Sequence, residues 1–127
     1  MNSGLYSSEI IINSNDPLNL LDTIPNVNAA ILVSTEGKII ASALPYGVDD
    51  TKIATMMAGL LSIAEKSVME LKKGEFDQLY IKSSNGYLLV IGAGPNAVLA
   101  ISTALDVRLG LIFLDAKRTC EKIAKLI

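Results

Sequence analysis

The sequence predicts one α/β domain of the α+β kind: a five-stranded antiparallel sheet with helices on both faces, in the order α-β-β-α-β-β-β-α. The chain has 127 residues, which suits a single domain, and half of them are hydrophobic, which suits a large core. One long segment repeats its apolar residues at helical spacing, and shorter apolar segments are separated by turn residues. A sheet covered by helices on both faces would bury this many hydrophobic residues.

The chain is predicted to begin with an arm and a short helix. Asp16 is a suitable N-cap, Pro17 suits the first helical position, and this helix ends at Pro25. Residues 1–13 form the N-terminal arm, which is either disordered or an extra strand. The domain itself is expected to span residues 14–127.

A hairpin and a long helix follow. Residues 28–34 and 38–43 are apolar segments separated by three turn residues, a spacing that is typical of a β-hairpin. Asp49 is then expected to cap a helix whose apolar period continues to Lys73, and Gly74 is expected to close it.

Three further strands are predicted after this helix. Residues 76–83 form the first, and two continuous apolar segments, residues 87–91 and 97–103, form the others. Asn85-Gly86 is a strong hairpin signal between the first two. Residues 83–105 carry no charge and are long enough to cross a bilayer, but turn residues interrupt them twice. We therefore expect buried strands and no membrane span.

The last segment is predicted to be a helix over residues 106–127, because its apolar residues fall on one face. Residues 108–114 are also short and apolar enough for a strand. If the helix starts near Asp106, Val107, Leu111 and Leu114 lie on its charged side and are partly exposed. They would then form a second docking patch or the cover for the N-terminal arm.

Composition excludes several functions. Eleven basic and thirteen acidic residues give a net charge of −2 without long runs of either sign, so nucleic acid is not an expected partner. The single cysteine cannot form an intrachain disulfide, which favours a cytoplasmic location. The chain contains no histidine, which removes the commonest general base and most zinc sites.

The remaining motifs are predicted to be structural. The Gly-Ala-Gly sequence at 92–94 leads into a strand, whereas phosphate loops lead into a helix. Asp49 and Asp50 are the only adjacent acidic pair, and helix capping explains them. Cys120 lies on the buried arc of the last helix as a small core residue. We therefore expect no catalytic residue, cofactor or metal.

The order of elements and several local sequences resemble the Roadblock family, the dynein-light-chain-like domains that also occur as small-GTPase regulators in bacteria and archaea. The resemblance covers residues 16–127. Five segments carry it: NVNAAILV at 26–33, EGKIIAS at 36–42, NGYLL at 85–89, GPNAVL at 94–99 and LGL at 109–111.

The resemblance implies a homodimer, or a heterodimer with a paralogous Roadblock protein. In it the strand after the central helix pairs with its counterpart, and the central helices lie side by side. The implied activity is non-catalytic regulation of, or scaffolding for, a Ras-like small GTPase. Only Arg108 or Arg118 could supply an arginine finger, and neither is on a predicted mobile loop. The alternative is a sensory domain with a similar sheet, which needs a cavity with inward polar groups.

The central helix has an apolar arc of about half its circumference, wider than the ~100° needed to pack on one surface. Met56 and Ile63 lie at one end of that arc. The opposite side begins with four small residues: Thr55, Ala58, Gly59 and Ser62. Small residues allow another backbone to approach, so this side is either a partner surface or a solvated face of low charge.

Residues 76–83 are predicted to form a free sheet edge, which is a template for a second strand. We predict that five of them contact a second copy: Phe76, Gln78, Leu79, Tyr80 and Lys82. Alternation places Phe76 on the same face as Tyr80, and Leu79 on the other. Alternatively, Asp77 and Lys82 protect the edge from pairing.

Overall fold

The computed structural model describes residues 26–126 and contains a five-stranded antiparallel sheet between two helices, as predicted. The elements are β1 (Val27–Ser34), β2 (Ile39–Ala43), α1 (Asp50–Glu70), β3 (Gln78–Ser83), β4 (Gly86–Gly92), β5 (Ala97–Thr103) and α2 (Leu109–Ala124). The predicted arm at 1–13 and the predicted helix from Asp16 to Pro25 lie outside the described residues.

The strands are arranged in the order β2-β1-β5-β4-β3, so β2 and β3 form the two edges. β5 lies in the middle and places Ala100 opposite both Ile31 of β1 and Val90 of β4. The register between β1 and β2 shifts at Leu32 and Val33, as it does at a β-bulge. The long uncharged stretch forms β4 and β5, and no helix in the described part of the chain could span a membrane.

Each sheet face has its own hydrophobic core, because neighbouring side chains of a strand point to opposite faces. One core lies under α1 and contains Ile31, Val33, Val90, Val98 and Ala100 of the sheet with Ala54, Met57 and Leu61 of the helix. The other lies under α2 and includes Leu32, Leu89, Leu99 and Ile101 with Ile112, Ala116 and Ile123. Continuous apolar sequences in β4 and β5 follow from burial on both sides.

The start of α1 agrees with its prediction. Asp49 has extended backbone angles, and its carboxylate accepts a hydrogen bond from the backbone N–H of Lys52 at 3.2 Å. This bond satisfies one of the N–H groups that a helix start leaves without a helical partner.

The end of α1 differs from its prediction. The backbone N–H groups of Lys72 and Lys73 donate to the carbonyl groups of Met69 and Val68, at 3.0 and 2.8 Å. This pair of bonds is the Schellman motif, which needs one residue in the left-handed conformation after the helix. Lys72 takes that conformation with φ 58°, so the helix ends at Glu70 rather than at Lys73.

Lys72→Gly is expected to raise the free energy of unfolding by about 0.5–1 kcal/mol, because glycine adopts a positive φ without the steric cost of a side chain. The gain should appear as a higher urea midpoint with an unchanged slope. Lys73→Gly, at the next position along the motif, is the matched control and should not stabilise the protein. A lower midpoint for Lys72→Gly would contradict the assigned helix end.

α2 begins at Leu109, and Arg108 occupies the capping position without a side-chain cap bond. The alternative that residues 108–114 form a strand is therefore wrong, and a helix is confirmed, although it runs from Leu109 to Ala124 instead of over the predicted residues 106–127. A strand here would have lost the burial of Ile112 and Ala116 against the sheet. Leu111 and Leu114 are exposed and Val107 is half-buried, in agreement with the prediction.

Candidate interaction surface

In the described part of the chain, β3 has a neighbouring strand on one side only. Such an edge presents backbone N–H and C=O groups that another strand can bind. Four of the five residues predicted to contact a second copy lie on it: Gln78, Leu79, Tyr80 and Lys82. The fifth, Phe76, lies two residues before the strand.

The side chains of β3 alternate between the two faces as predicted. Leu79 packs against the core under α1. The ring of Tyr80 meets that of Phe113 in α2 edge to face, with the ring centres 5.8 Å apart and the planes at 74°. Tyr80 remains 55% exposed, so the outer half of its side chain is available at the edge.

The prediction that Phe76 shares a face with Tyr80 is wrong. Phe76 packs against the core under α1, because the strand begins at Gln78 and strict alternation does not apply before it. Asp77 also precedes the strand, and its Oδ1 accepts a hydrogen bond from Lys117 Nζ of α2 at 3.0 Å. This exposed ion pair contributes at most about 1 kcal/mol, but it directs the Asp77 carboxylate towards α2.

The four small residues of α1 have different surroundings. The turn between β1 and β2 approaches two of them, since a Cβ added to Gly37 would lie 3.9 Å from both Ala58 Cβ and Thr55 Cα. Ser62 is half-buried, and a Cβ added to Gly59 would meet no atom within 4 Å. Open space for a second backbone therefore lies beside Gly59.

Three apolar residues extend this surface beyond the predicted set. Met56 is 54% exposed and Ile63 is 64% exposed, although the helical wheel places both in the apolar arc. They lie at i and i+7 on α1, on the same stripe as Gly59. Ile81 is 42% exposed on the face of β3 that α1 covers. The excess width of the apolar arc is the signal in the sequence that indicated such a stripe.

A groove of about 350 Å³ lies between the first half of α1 and the sheet. Its apolar lining includes Leu44, Val48, Ile53, Met56 and Leu88. Met56 therefore belongs to both the groove and the exposed stripe. The ligand-binding alternative requires polar groups that point inward, and this mainly apolar lining does not favour it.

The polar side chains discussed as candidates in the described residues either have structural roles or lie too far from one another to form a joint site. Asp49 is engaged in the helix cap. Arg108 and Arg118 are both exposed, one immediately before α2 and the other within it. No group of three or more His, Cys, Asp or Glu residues that could hold a metal ion occurs between residues 26 and 126.

Cys120 is buried in the core under α2, where it packs as a small apolar residue. Burial, with a smaller contribution from the nearby negative charge of Glu121, raises the pKa of its thiol from 9.0 to about 12. The thiol is therefore protonated and poorly nucleophilic near neutral pH.

The raised pKa predicts a loss of stability at alkaline pH. Below pH 9 the thiol is protonated in both states, and from there towards pH 12 only the unfolded chain loses the proton. The free energy of unfolding should therefore fall more steeply in the wild type than in Cys120→Ala, by up to about 1 kcal/mol per pH unit. Urea unfolding between pH 7 and pH 10.5 measures both slopes, and parallel slopes would contradict the prediction.

These features define a class of protein: a small α+β domain with an exposed apolar stripe on one helix and, in its described part, a sheet edge without a second neighbouring strand. The sequence model of the Roadblock/LC7 domain family matches residues 14–103 of the chain. The chain therefore belongs to the Roadblock/LC7 family, as its sequence resemblance implied.

One relative and two solved structures are similar to this chain, and the structures share its fold. The uncharacterized protein MJ1340 of Methanocaldococcus jannaschii is 32% identical over 103 residues, which cover 81% of this chain and 90% of that protein. Myxococcus xanthus MglB has a similar structure, with a TM-score of 0.80 and 23% identity over 88% of this chain and 92% of that one. The structure of the gliding protein mglB from Thermus thermophilus matches with a TM-score of 0.75 and 20% identity, and the match covers 94% of this chain and 96% of that one.

Proposed function

We propose that the protein is a dimeric, non-catalytic regulator or scaffold that binds a Ras-like small GTPase in the cytoplasm and modulates its nucleotide cycle. Membership of the Roadblock/LC7 family supports this function, because the sequence resemblance implies GTPase regulation. The fold shared with Myxococcus xanthus MglB is consistent with it.

Two observations carry the proposal: β3 has no second neighbouring strand among the described residues, and α1 has an exposed apolar stripe. Two copies related by a two-fold axis would pair their β3 strands and place their α1 helices side by side. One six-residue strand is too small for a stable interface, which typically buries about 1,200–2,000 Å² in total. The stripe supplies the additional apolar area, so edge and stripe act together.

The proposed dimer interface keeps the five predicted residues and adds three. Gln78, Leu79, Tyr80 and Lys82 line the pairing edge, and Phe76 stands at its beginning. Ile81, Met56 and Ile63 form the apolar contact between the copies. A paralogous Roadblock protein with a similar edge and stripe could replace the second copy.

The GTPase is proposed to bind the paired α1 helices. Of the four predicted small residues, Thr55, Ala58, Gly59 and Ser62, the open space beside Gly59 is where a partner backbone can approach most closely, and the other three would border that contact. Arg108 and Arg118 belong to the region around α2, on the other side of the sheet. Any stimulation of hydrolysis would therefore act by repositioning groups of the GTPase itself.

Copurification with the small GTPases of the same genome tests this function. We expect one GTPase to bind with a different affinity in its GDP form and its GTP-analogue form, and its hydrolysis or exchange rate to change. Gly59→Arg should abolish binding by filling the space beside α1, and because Gly59 lies on the stripe of the proposed dimer contact, sedimentation velocity should show that the variant remains a dimer; Lys125→Glu at the end of α2 should not affect binding. Failure of every candidate GTPase to bind in either form would contradict the function but not the fold.

A further inference from the structure

The outer side of α2 has an apolar patch followed by basic residues. Leu111 and Leu114 are 53% and 46% exposed. Arg118, Lys122 and Lys125 are exposed one to three turns further along the same side, together with one acidic residue, Glu121. This surface lies on the face of the sheet opposite α1, so neither the proposed dimer nor the proposed GTPase site uses it.

A groove of about 630 Å³ connects this patch with the start of β1. Leu111, Val107 and Arg108 line it on the α2 side, and Asn26 lines it on the other. Asn26 is the first residue that the structure describes. The preceding 25 residues of the chain are therefore attached next to the patch.

The sequence of those residues complements the patch mainly through its apolar side chains, with a small net negative charge facing a surface where basic residues outnumber Glu121. Residues 1–25 contain Glu9, Asp16 and Asp22 but no lysine or arginine. Residues 1–13 also contain Leu5, Tyr6 and three consecutive isoleucines, and they precede the match to the Roadblock/LC7 domain. Burial of each such isoleucine is worth about 1.5–3 kcal/mol, so covering them is strongly favourable.

We propose that residues 1–13 bind the outer side of α2 in the same molecule, with their apolar side chains on Leu111 and Leu114 and Glu9 near the basic residues. The connection is long enough even if residues 16–25 form the predicted helix, because it then spans about 20 Å, and Asn26 and Leu111 line the same groove. The docked arm would thus cover the largest apolar side chains on the outer side of α2.

A double-mutant cycle tests this contact. One change is Leu111→Ser with Leu114→Ser, and the other is removal of residues 2–13, which leaves the matched residues 14–103 intact. We expect the serine changes to lower the Tm by about 5 °C in the full chain and by less than about 1 °C in the shortened one. Leu71→Ser, at an exposed site beyond α1, is the control and should change the Tm by the same small amount in the full and the shortened chain.

Equal effects of the serine changes in the two backgrounds, or no effect in either, would overturn the proposal. If the arm binds a sheet edge instead of α2, the serine changes should lower the Tm equally in the full and the shortened chain. A second copy on the patch would make the apparent mass fall with the serine changes, which would overturn it as well.

A second measurement does not depend on stability. Leu114→Cys in a Cys120→Ala background places one thiol on the patch. Removal of residues 2–13 should then raise its rate of reaction with a maleimide about tenfold, because the arm no longer protects it. An unchanged rate would contradict docking.

Discussion

Ile81→Glu is expected to convert the proposed dimer into monomers of 13.5 kDa. Side chains near a two-fold axis face their own copies, so one substitution places two like charges close together. They would also lie in an apolar contact, where an unpaired carboxylate is poorly solvated. Dimer affinity should fall at least about 100-fold, which corresponds to roughly 3 kcal/mol. Sedimentation velocity at micromolar concentration measures the mass directly.

Two further variants separate the interface from folding. Ile63→Glu tests the α1 stripe and should dissociate the dimer in the same way. Leu71→Glu changes a residue that is 71% exposed outside the stripe, so the dimer should persist. Circular dichroism should show the wild-type spectrum for all three. A wild-type protein that sediments only as a monomer, or an Ile81→Glu variant that still dimerises, would rule out the proposed pairing.

Gly86→Ala is expected to destabilise the protein strongly, although it adds only one methyl group. A Cβ at this first residue of β4 would fall on the backbone carbonyl oxygen of Thr103 at the end of β5. Backbone atoms cannot move aside as a flexible side chain can, so the two strand ends must separate. The expected cost is about 3 kcal/mol or more, with a Tm lower by roughly 10 °C.

Gly92→Ala is the matched control at the other end of β4. A Cβ there would meet no atom within 4 Å, so its effect should stay within about 1 kcal/mol. Thermal unfolding followed by circular dichroism compares the two variants under one condition. Similar melting temperatures for both would show that β4 and β5 do not approach as closely as the structure indicates.

The hairpin before β4 shows where local sequence is informative and where it is not. Asn85-Gly86 correctly predicts a turn between β3 and β4, and Ser83 pairs with Gly86 across it. However, the turn does not give Asn85 the positive φ that this signal usually reflects. Glycine is required by the approach of Thr103, a residue of a different strand, and no local pattern contains that information.

Helix α1 shows the same limit for the candidate surface. Its cap at Asp49 depends on neighbouring residues and is predicted correctly, as are the strands and their pairing across the hairpin. The exposure of Met56 and Ile63 could not be predicted, because a helical wheel gives the width of an apolar arc but not which part the sheet covers. The face of Phe76 is predicted wrongly for a related reason: alternation applies only once a strand has begun.

The shifted register at Leu32 and Val33 would limit the size of the proposed assembly. Joining two copies through β3 leaves a β2 strand at each end of the combined ten-stranded sheet. That strand has only five residues and its pairing with β1 is irregular, so it offers no long straight row of hydrogen-bonding groups. End-to-end polymerisation into fibres is therefore disfavoured, and a closed pair is the expected product.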